Sequence, residues 1–273
     1  MLREITLGQY YPADSVLHKL DPRVKLVATL AFIFSLFLVK TWVGYAVATI
    51  FLVAVIRLSK VPFSFMVRGL RAIFMILMIT VVFNLFLTPG DKVLVQIWKL
   101  KITDTGLRTA AFMAIRLMYL IIGSSVMTLT TTPNNLTDGM ERLMSPFKKL
   151  HVPVHEVAMM MSIALRFIPI LMEETDKIMK AQIARGADFE SGNLLQKAKN
   201  LVPLLVPLFI SAFRRANDLA MAMEARCYHG GDGRTKMKPL RYERRDARAY
   251  GVVCFYLMVI IGLRVLGNYV PLI

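Results

Sequence analysis

Five apolar runs constrain this chain more than any other feature. A helix that crosses hydrocarbon needs about 20 mostly apolar residues. Residues 24–39, 43–56, 72–87, 110–129 and 250–266 approach or reach that length. The second is slightly short. The third stops at Thr88-Pro89-Gly90, the fourth contains Arg116, and the fifth carries Arg264 near its end, where the side chain can snorkel. The chain is 56% apolar and 19% charged, against roughly 45–50% and 25% in an average soluble chain. That excludes disorder. Two cysteines, Cys227 and Cys254, cannot form a disulfide framework. Residues 1–20 have no apolar core and carry Asp14 and His18, so no signal peptide is expected there. The expected fold class is all-α: a polytopic membrane protein with about five transmembrane helices.

Lys and Arg set the orientation. With the N-terminus inside, 27 of them fall on inner segments, including Arg3, Lys19, Arg57, Lys60, Arg68 and Arg71. Six fall outside: Lys40, Lys92, Lys99, Lys101, Arg108 and Arg264. Only the 89–108 loop opposes the assignment. Trp42 and Tyr45 fit an outer aromatic belt. The net charge of +16 is then a positive-inside bias rather than a nucleic-acid surface. Between 130 and 249 there are 19 basic and 13 acidic residues, too balanced for a basic stripe.

That inner region is not a polar domain, because apolar runs persist in it. Three helices are expected: 134–149, one from after Pro153 to Arg185, and 193–226. Gly186 is placed to end the second, and Gly230, Gly231 and Gly233 the third. The last two share a layout. An apolar stretch (157–172, 201–213) leads into charged residues, and each helix finishes on Ala-Arg. As extra spans they would move Lys177, Lys180, Arg185, Lys197 and Lys199 outside, and their apolar parts are short and hold Arg166, Pro169, Pro203 and Pro207. They are expected to lie along the inner face.

Catalytic signatures are missing. No G-x-x-x-x-G-K-[ST] loop occurs, and the glycines from 230 to 233 follow a helix instead of opening one. Pro153 breaks the helix that would put His151 and His155 on one face, so no metal site is expected. Acidic residues are absent from the five spans, which leaves a proton or cation path without ligands. Arg116 is expected to face the bundle interior or the outer headgroups. Methionine is abundant at 18. Met159, Met160, Met161, Met221 and Met223 on the inner helices suit flexible packing, or an adaptable surface for a partner. Arg185 and Arg226 complement helix dipoles, and their repetition suggests docking to carboxylates on another protein.

The chain resembles the transmembrane scaffold (T) component, EcfT/CbiQ-like, of energy-coupling factor (ECF) type ABC importers. The resemblance rests on Leu20-Asp21-Pro22-Arg23-Val24-Lys25-Leu26, Thr130-Thr131-Thr132-Pro133-Asn134-Asn135-Leu136, Ala164-Leu165-Arg166-Phe167-Ile168-Pro169, Ala181-Gln182-Ile183-Ala184-Arg185-Gly186 and Ala222-Met223-Glu224-Ala225-Arg226-Cys227-Tyr228. It implies a non-catalytic subunit that binds two cytosolic ABC ATPases and one small membrane substrate-binding (S) subunit, for uptake of vitamins or metal ions. It implies no cofactor on this chain, with ATP and magnesium on the partner ATPases. The division expected is a four-span region over 1–129, inner-face coupling helices over 130–249 and a last span over 250–273, with the C-terminus outside. The implied ATPase-docking residues are Ala184, Arg185, Gly186, Ala225, Arg226 and Cys227. Arg166, Pro169 and Glu224 are implied as coupling-helix support, and the five methionines above as the S-subunit interface. Cys227 stands where the family more commonly has Gly, so the third helix is expected to end differently from the second. The rival reading is a self-sufficient secondary transporter or channel, disfavoured by the single intramembrane Arg and the lack of repeated halves.

Overall fold

The computed structural model describes residues 10–88, 93–97, 100–189, 193–231, 237 and 239–269. Arg3, most of the segment from Ile5, Pro89, Gly90, Lys92, Lys99 and Gly233 lie outside the described residues. The protein is an all-α, multi-pass membrane protein. Its helices are α1 (Pro22–Leu38), α2 (Trp42–Ser59), α3 (Phe63–Leu87), α4 (Asp104–Thr130), α5 (Pro133–Met144), α6 (Val154–Ala184), α7 (Leu194–Glu224) and α8 (Arg244–Tyr269). Each expected span falls on a helix: α1, α2, α3, α4 and α8. Two details differ from the sequence reading. The 89–108 loop contains an antiparallel hairpin, β1 (Val93–Ile97) and β2 (Leu100–Thr103), pairing Ile97 with Leu100 and Val93 with Thr103. The helix expected over 134–149 stops at Met144 and gives way to a 3₁₀ turn, Ser145–Leu150, because Pro146 cannot donate to the α ladder.

Length and hydropathy mark four described helices as able to cross a membrane: Trp42–Ser59, Asp104–Thr130, Val154–Ala184 and Arg244–Gly267. The 17-residue α1 is short of a full span, and the apolar part of α3 is Ile73–Phe86. The third of the four is α6, which the sequence reading laid along the inner face.

The chain divides into two compact units, Gly8–Gly139 with Leu240–Ile273, and Met140–Pro239. The core of the first is built from α1, α2, α4 and α8 around Phe32, Leu36, Ala48, Leu52, Val126 and Ile260. Gly123 lets α4 close on α1, since a Cβ there would meet the Phe32 ring at 2.7 Å. Phe51 stacks on Tyr256 at 4.2 Å, and the Tyr256 hydroxyl lies 2.8 Å from Ser35 Oγ.

A buried polar clamp ties the ends of α1, α4 and α8. Asp21 caps α1, accepting from the Arg23 N–H at 2.9 Å, with Pro22 at the first helical position, where its missing N–H costs nothing. The Asp21 N–H donates to Asp246 Oδ1 (2.9 Å), while Asp246 Oδ2 accepts the Glu243 N–H that precedes α8 (2.8 Å). Lys25 Nζ donates to the carbonyl of Thr130, the last residue of α4, at 2.8 Å, and to His18 O at 3.3 Å. A carbonyl orphaned at a helix C-terminus thus gains a cationic donor. The other end of α1 is finished similarly. Arg116 donates to Val39 O (3.3 Å) and Arg264 to Leu38 O (3.4 Å). Arg116 therefore faces the bundle and serves the α1 terminus.

Candidate functional site

The unit Met140–Pro239 is organised by α6 and α7. Pro207 has no N–H to give the Pro203 carbonyl one turn earlier. Gln182 of α6 fills the gap, its Nε2 donating to Pro203 O at 3.3 Å. Farther back along α6, Glu174 accepts from two α7 side chains one turn apart. Ser211 bonds Oε1, and Arg215 donates Nε and a terminal nitrogen to Oε2 at 3.2 and 3.1 Å. Residue 182 pairs with 203 and residue 174 with 211 and 215, so the helices run antiparallel. Gly231, seven residues after α7 ends, confirms the direction. A Cβ on it would lie 2.3 Å from the His155 ring at the start of α6.

The antiparallel register puts Arg185 and Arg226 at opposite ends of the pair. Arg226 lies 23 residues beyond Pro203, which is roughly 35 Å at 1.5 Å per residue. Both arginines are exposed, and neither guanidinium has a partner among the described residues. Ala184, Gly186, Ala225 and Cys227 are exposed as well.

The two ends share one backbone design. After α6, the Gly186 N–H bonds Ile183 O (2.9 Å) and the Ala187 N–H reaches back to Gln182 O (3.0 Å). After α7, the Cys227 N–H bonds Glu224 O (2.8 Å) and the Tyr228 N–H reaches Met223 O (3.0 Å). This is the Schellman arrangement, which requires a left-handed residue at its centre. Gly186 supplies it with φ 86° and Cys227 with φ 55°. The expectation that Cys227 would end its helix differently is corrected. Cys227 adopts the glycine conformation, and its backbone carries the same two bonds. Each arginine immediately precedes that left-handed residue.

The remaining sequence-selected residues are spread along the pair. Met160, Met161 and Met221 are exposed, while Met159 and Met223 are half-buried. Arg166 and Pro169 are exposed midway along α6, and Glu224 contributes its carbonyl to the second turn. The apolar stretch 201–213 leaves a strip exposed on α7, including Leu205, Phe209 and Phe213, with Phe209 and Phe213 in contact at 5.0 Å. Its spacing of four residues was the available signal. His155 donates Nδ1–H to Glu141 at 2.8 Å. Among the described residues no group of three His, Cys, Asp or Glu side chains could hold a metal.

Residues 13–237 match the CbiQ family, described as cobalt transport protein. The chain belongs to the EcfT/CbiQ family. Among its relatives, the energy-coupling factor transporter transmembrane protein EcfT of Clostridium kluyveri is 58% identical over 264 residues, covering 96% of this chain and 97% of that one. The EcfT proteins of Thermosediminibacter oceani and Bacillus subtilis are 57% and 49% identical, over 91% and 90% of this chain and 94% and 93% of their own. An EcfT-type chain is a transmembrane component of a transporter, which agrees with the apolar helices. Two of the resembling segments meet in the polar clamp. Lys25 of the first bonds Thr130 of the second, and Gly139 packs closely on Pro22, where a built Cβ would lie 3.0 Å from the Pro22 Cβ.

Proposed function

We propose that this chain is the non-catalytic scaffold of an ECF-type importer, joining two cytosolic ATPases to a small membrane-embedded substrate-binding subunit for uptake of vitamins or metal ions. One observation carries the reading. Two exposed arginines, without a partner among the described residues, sit in matching Schellman turns at opposite ends of an antiparallel helix pair. A pair of like sites roughly 35 Å apart suits two like partners. A guanidinium held beside a fixed turn can form a bidentate bond with a carboxylate. ATP and magnesium belong to the ATPases. When ATP draws them together, Arg185 and Arg226 are pulled relative to one another. The Glu174–Ser211–Arg215 and Gln182–Pro203 links then pass that strain between α6 and α7, so the substrate-binding subunit is moved to release its cargo inwards. Arg166, Pro169 and Glu224 support the two arms, and the methionines and the α7 strip seat the substrate-binding subunit.

In this reading the N-terminus and the coupling helices are cytoplasmic and the C-terminus lies outside, following the distribution of 27 against six basic residues. Although α6 is apolar enough to cross, its second half carries Glu173, Glu174, Asp176, Lys177 and Lys180, which favours the inner face. The test is to extract the tagged chain gently from its native membrane and identify what co-purifies. Two ABC ATPases and a small membrane protein are expected. Their absence, together with solute transport by the purified chain alone in liposomes, would favour a self-sufficient transporter.

A further inference from the structure

The first compact unit contains an apolar cavity of about 310 Å³. Its floor is Phe32 of α1 and Phe51 of α2, which stack at 5.8 Å, and Ala28, Val55 and Val252 form its sides. Val252 remains 58% exposed, so the side formed by α8 is open. Apart from Thr29, its polar lining is Lys25, Thr130, and Arg245 and Arg248 of α8. Lys25 is spent on Thr130 O and His18 O, and Arg245 is forked onto Glu243. Arg248 is exposed and has no partner among the described residues.

An apolar slot open on one side and closed at one end by an uncommitted guanidinium has the chemistry of a phospholipid: hydrocarbon along the slot, phosphate at the arginine. A water-soluble ligand would leave the walls unsatisfied, and a polar peptide would bring backbone groups into a slot with almost nothing to bond them. The arginines at that end select the headgroup charge. We infer that this cavity binds one acyl chain of an anionic phospholipid, with its phosphate on Arg248 and on Arg245, whose exposed pairing with Glu243 the phosphate displaces. This site goes beyond the docking function and does not depend on it. An occupied slot would fix α8 against α1 and α2.

The test uses the full chain, purified in non-ionic detergent and stripped of lipid. Phosphatidylglycerol and phosphatidylcholine with identical acyl chains are titrated separately, and bound lipid is counted by native mass spectrometry. One phosphatidylglycerol is expected to bind at least tenfold tighter than phosphatidylcholine. Arg245→Gln with Arg248→Gln is expected to remove that preference while leaving weak binding of both. Ala28→Phe, which fills the slot, is expected to lose both lipids, and the double arginine variant keeps the test valid if Ala28→Phe does not fold. Equal binding of the two lipids, or an unchanged preference in the arginine variant, overturns the proposal. So does a photo-crosslinker at Val55 that captures a protein helix instead of lipid in native membranes.

Discussion

Replacing Cys227 with glycine should strengthen the end of α7, although it removes a side chain. Cys227 holds φ 55°, and a left-handed conformation costs an L-residue about 1–2 kcal/mol that glycine does not incur. Glycine gains freedom in the open state, which returns about 0.4–1 kcal/mol. The balance favours glycine by roughly 0.5–1 kcal/mol, a change of about two- to fivefold in the opening equilibrium of the turn. The reporter is the Tyr228 amide, bonded to Met223 O at 3.0 Å. Hydrogen exchange reads such local opening directly. Protection of Tyr228 should rise about two- to fivefold in Cys227→Gly, and Gly186→Cys should lower Ala187 protection by a similar factor. If Cys227→Gly leaves Tyr228 unchanged or less protected, the left-handed turn at 227 is not the state that closes α7, and the equivalence of the two tips fails with it.

Further outcomes follow from the packing. Asp246→Ala leaves the Asp21 and Glu243 N–H groups without their acceptor, so it should cost about 2–4 kcal/mol and lower the thermal midpoint of the chain in detergent. Gly231→Ala drives a methyl into the His155 ring and should cost about 1–3 kcal/mol, read in the same melt. Burial pushes the His18 ring below its ordinary pKa, helped by nearby Lys25 and opposed by its bond to Tyr11 O and by Asp14. Its folded value is depressed, so its contribution is complete above about pH 6.5 and is lost as pH falls. The thermal midpoint should therefore fall as pH drops below about 6.5, and His18→Gln should flatten that slope. Met159→Ala with Met160→Ala and Met161→Ala should weaken capture of the substrate-binding subunit, and unchanged affinity would remove that cluster from the interface.

The spans were legible as long apolar runs, while α6, apolar enough to cross by length and hydropathy, was not separable from them by apolarity alone and is set apart by its charged second half. The C-terminus of α6 was legible from Gly186, whose conformational freedom marks a C′ position. Its counterpart was not, because cysteine gives no such signal and only the bonds of Cys227 and Tyr228 reveal the turn. The polar clamp was hidden for a different reason. Asp21 and Asp246 lie 225 residues apart and Lys25 and Thr130 lie 105 apart, and no local pattern announces a pair that only folding brings together. The sequence layout put an arginine at the end of each long helix, but not the antiparallel register that separates them. That register depends on Gln182 answering a carbonyl freed by Pro207. The hairpin in the 89–108 loop was missed although Leu100-Lys101-Ile102-Thr103 alternates, because two strands of five and four residues sit at the short end of readable alternation.

The most direct test of the account is to purify the tagged chain with its ATPases as Arg185→Glu, as Arg226→Glu and as the double variant, measuring ATPase retained per chain. If each arginine serves its own ATPase, as proposed, each single variant should weaken retention and the double variant should abolish it, with the substrate-binding subunit still attached. Full retention of both ATPases by the double variant would contradict the assignment of these two turns as the docking points.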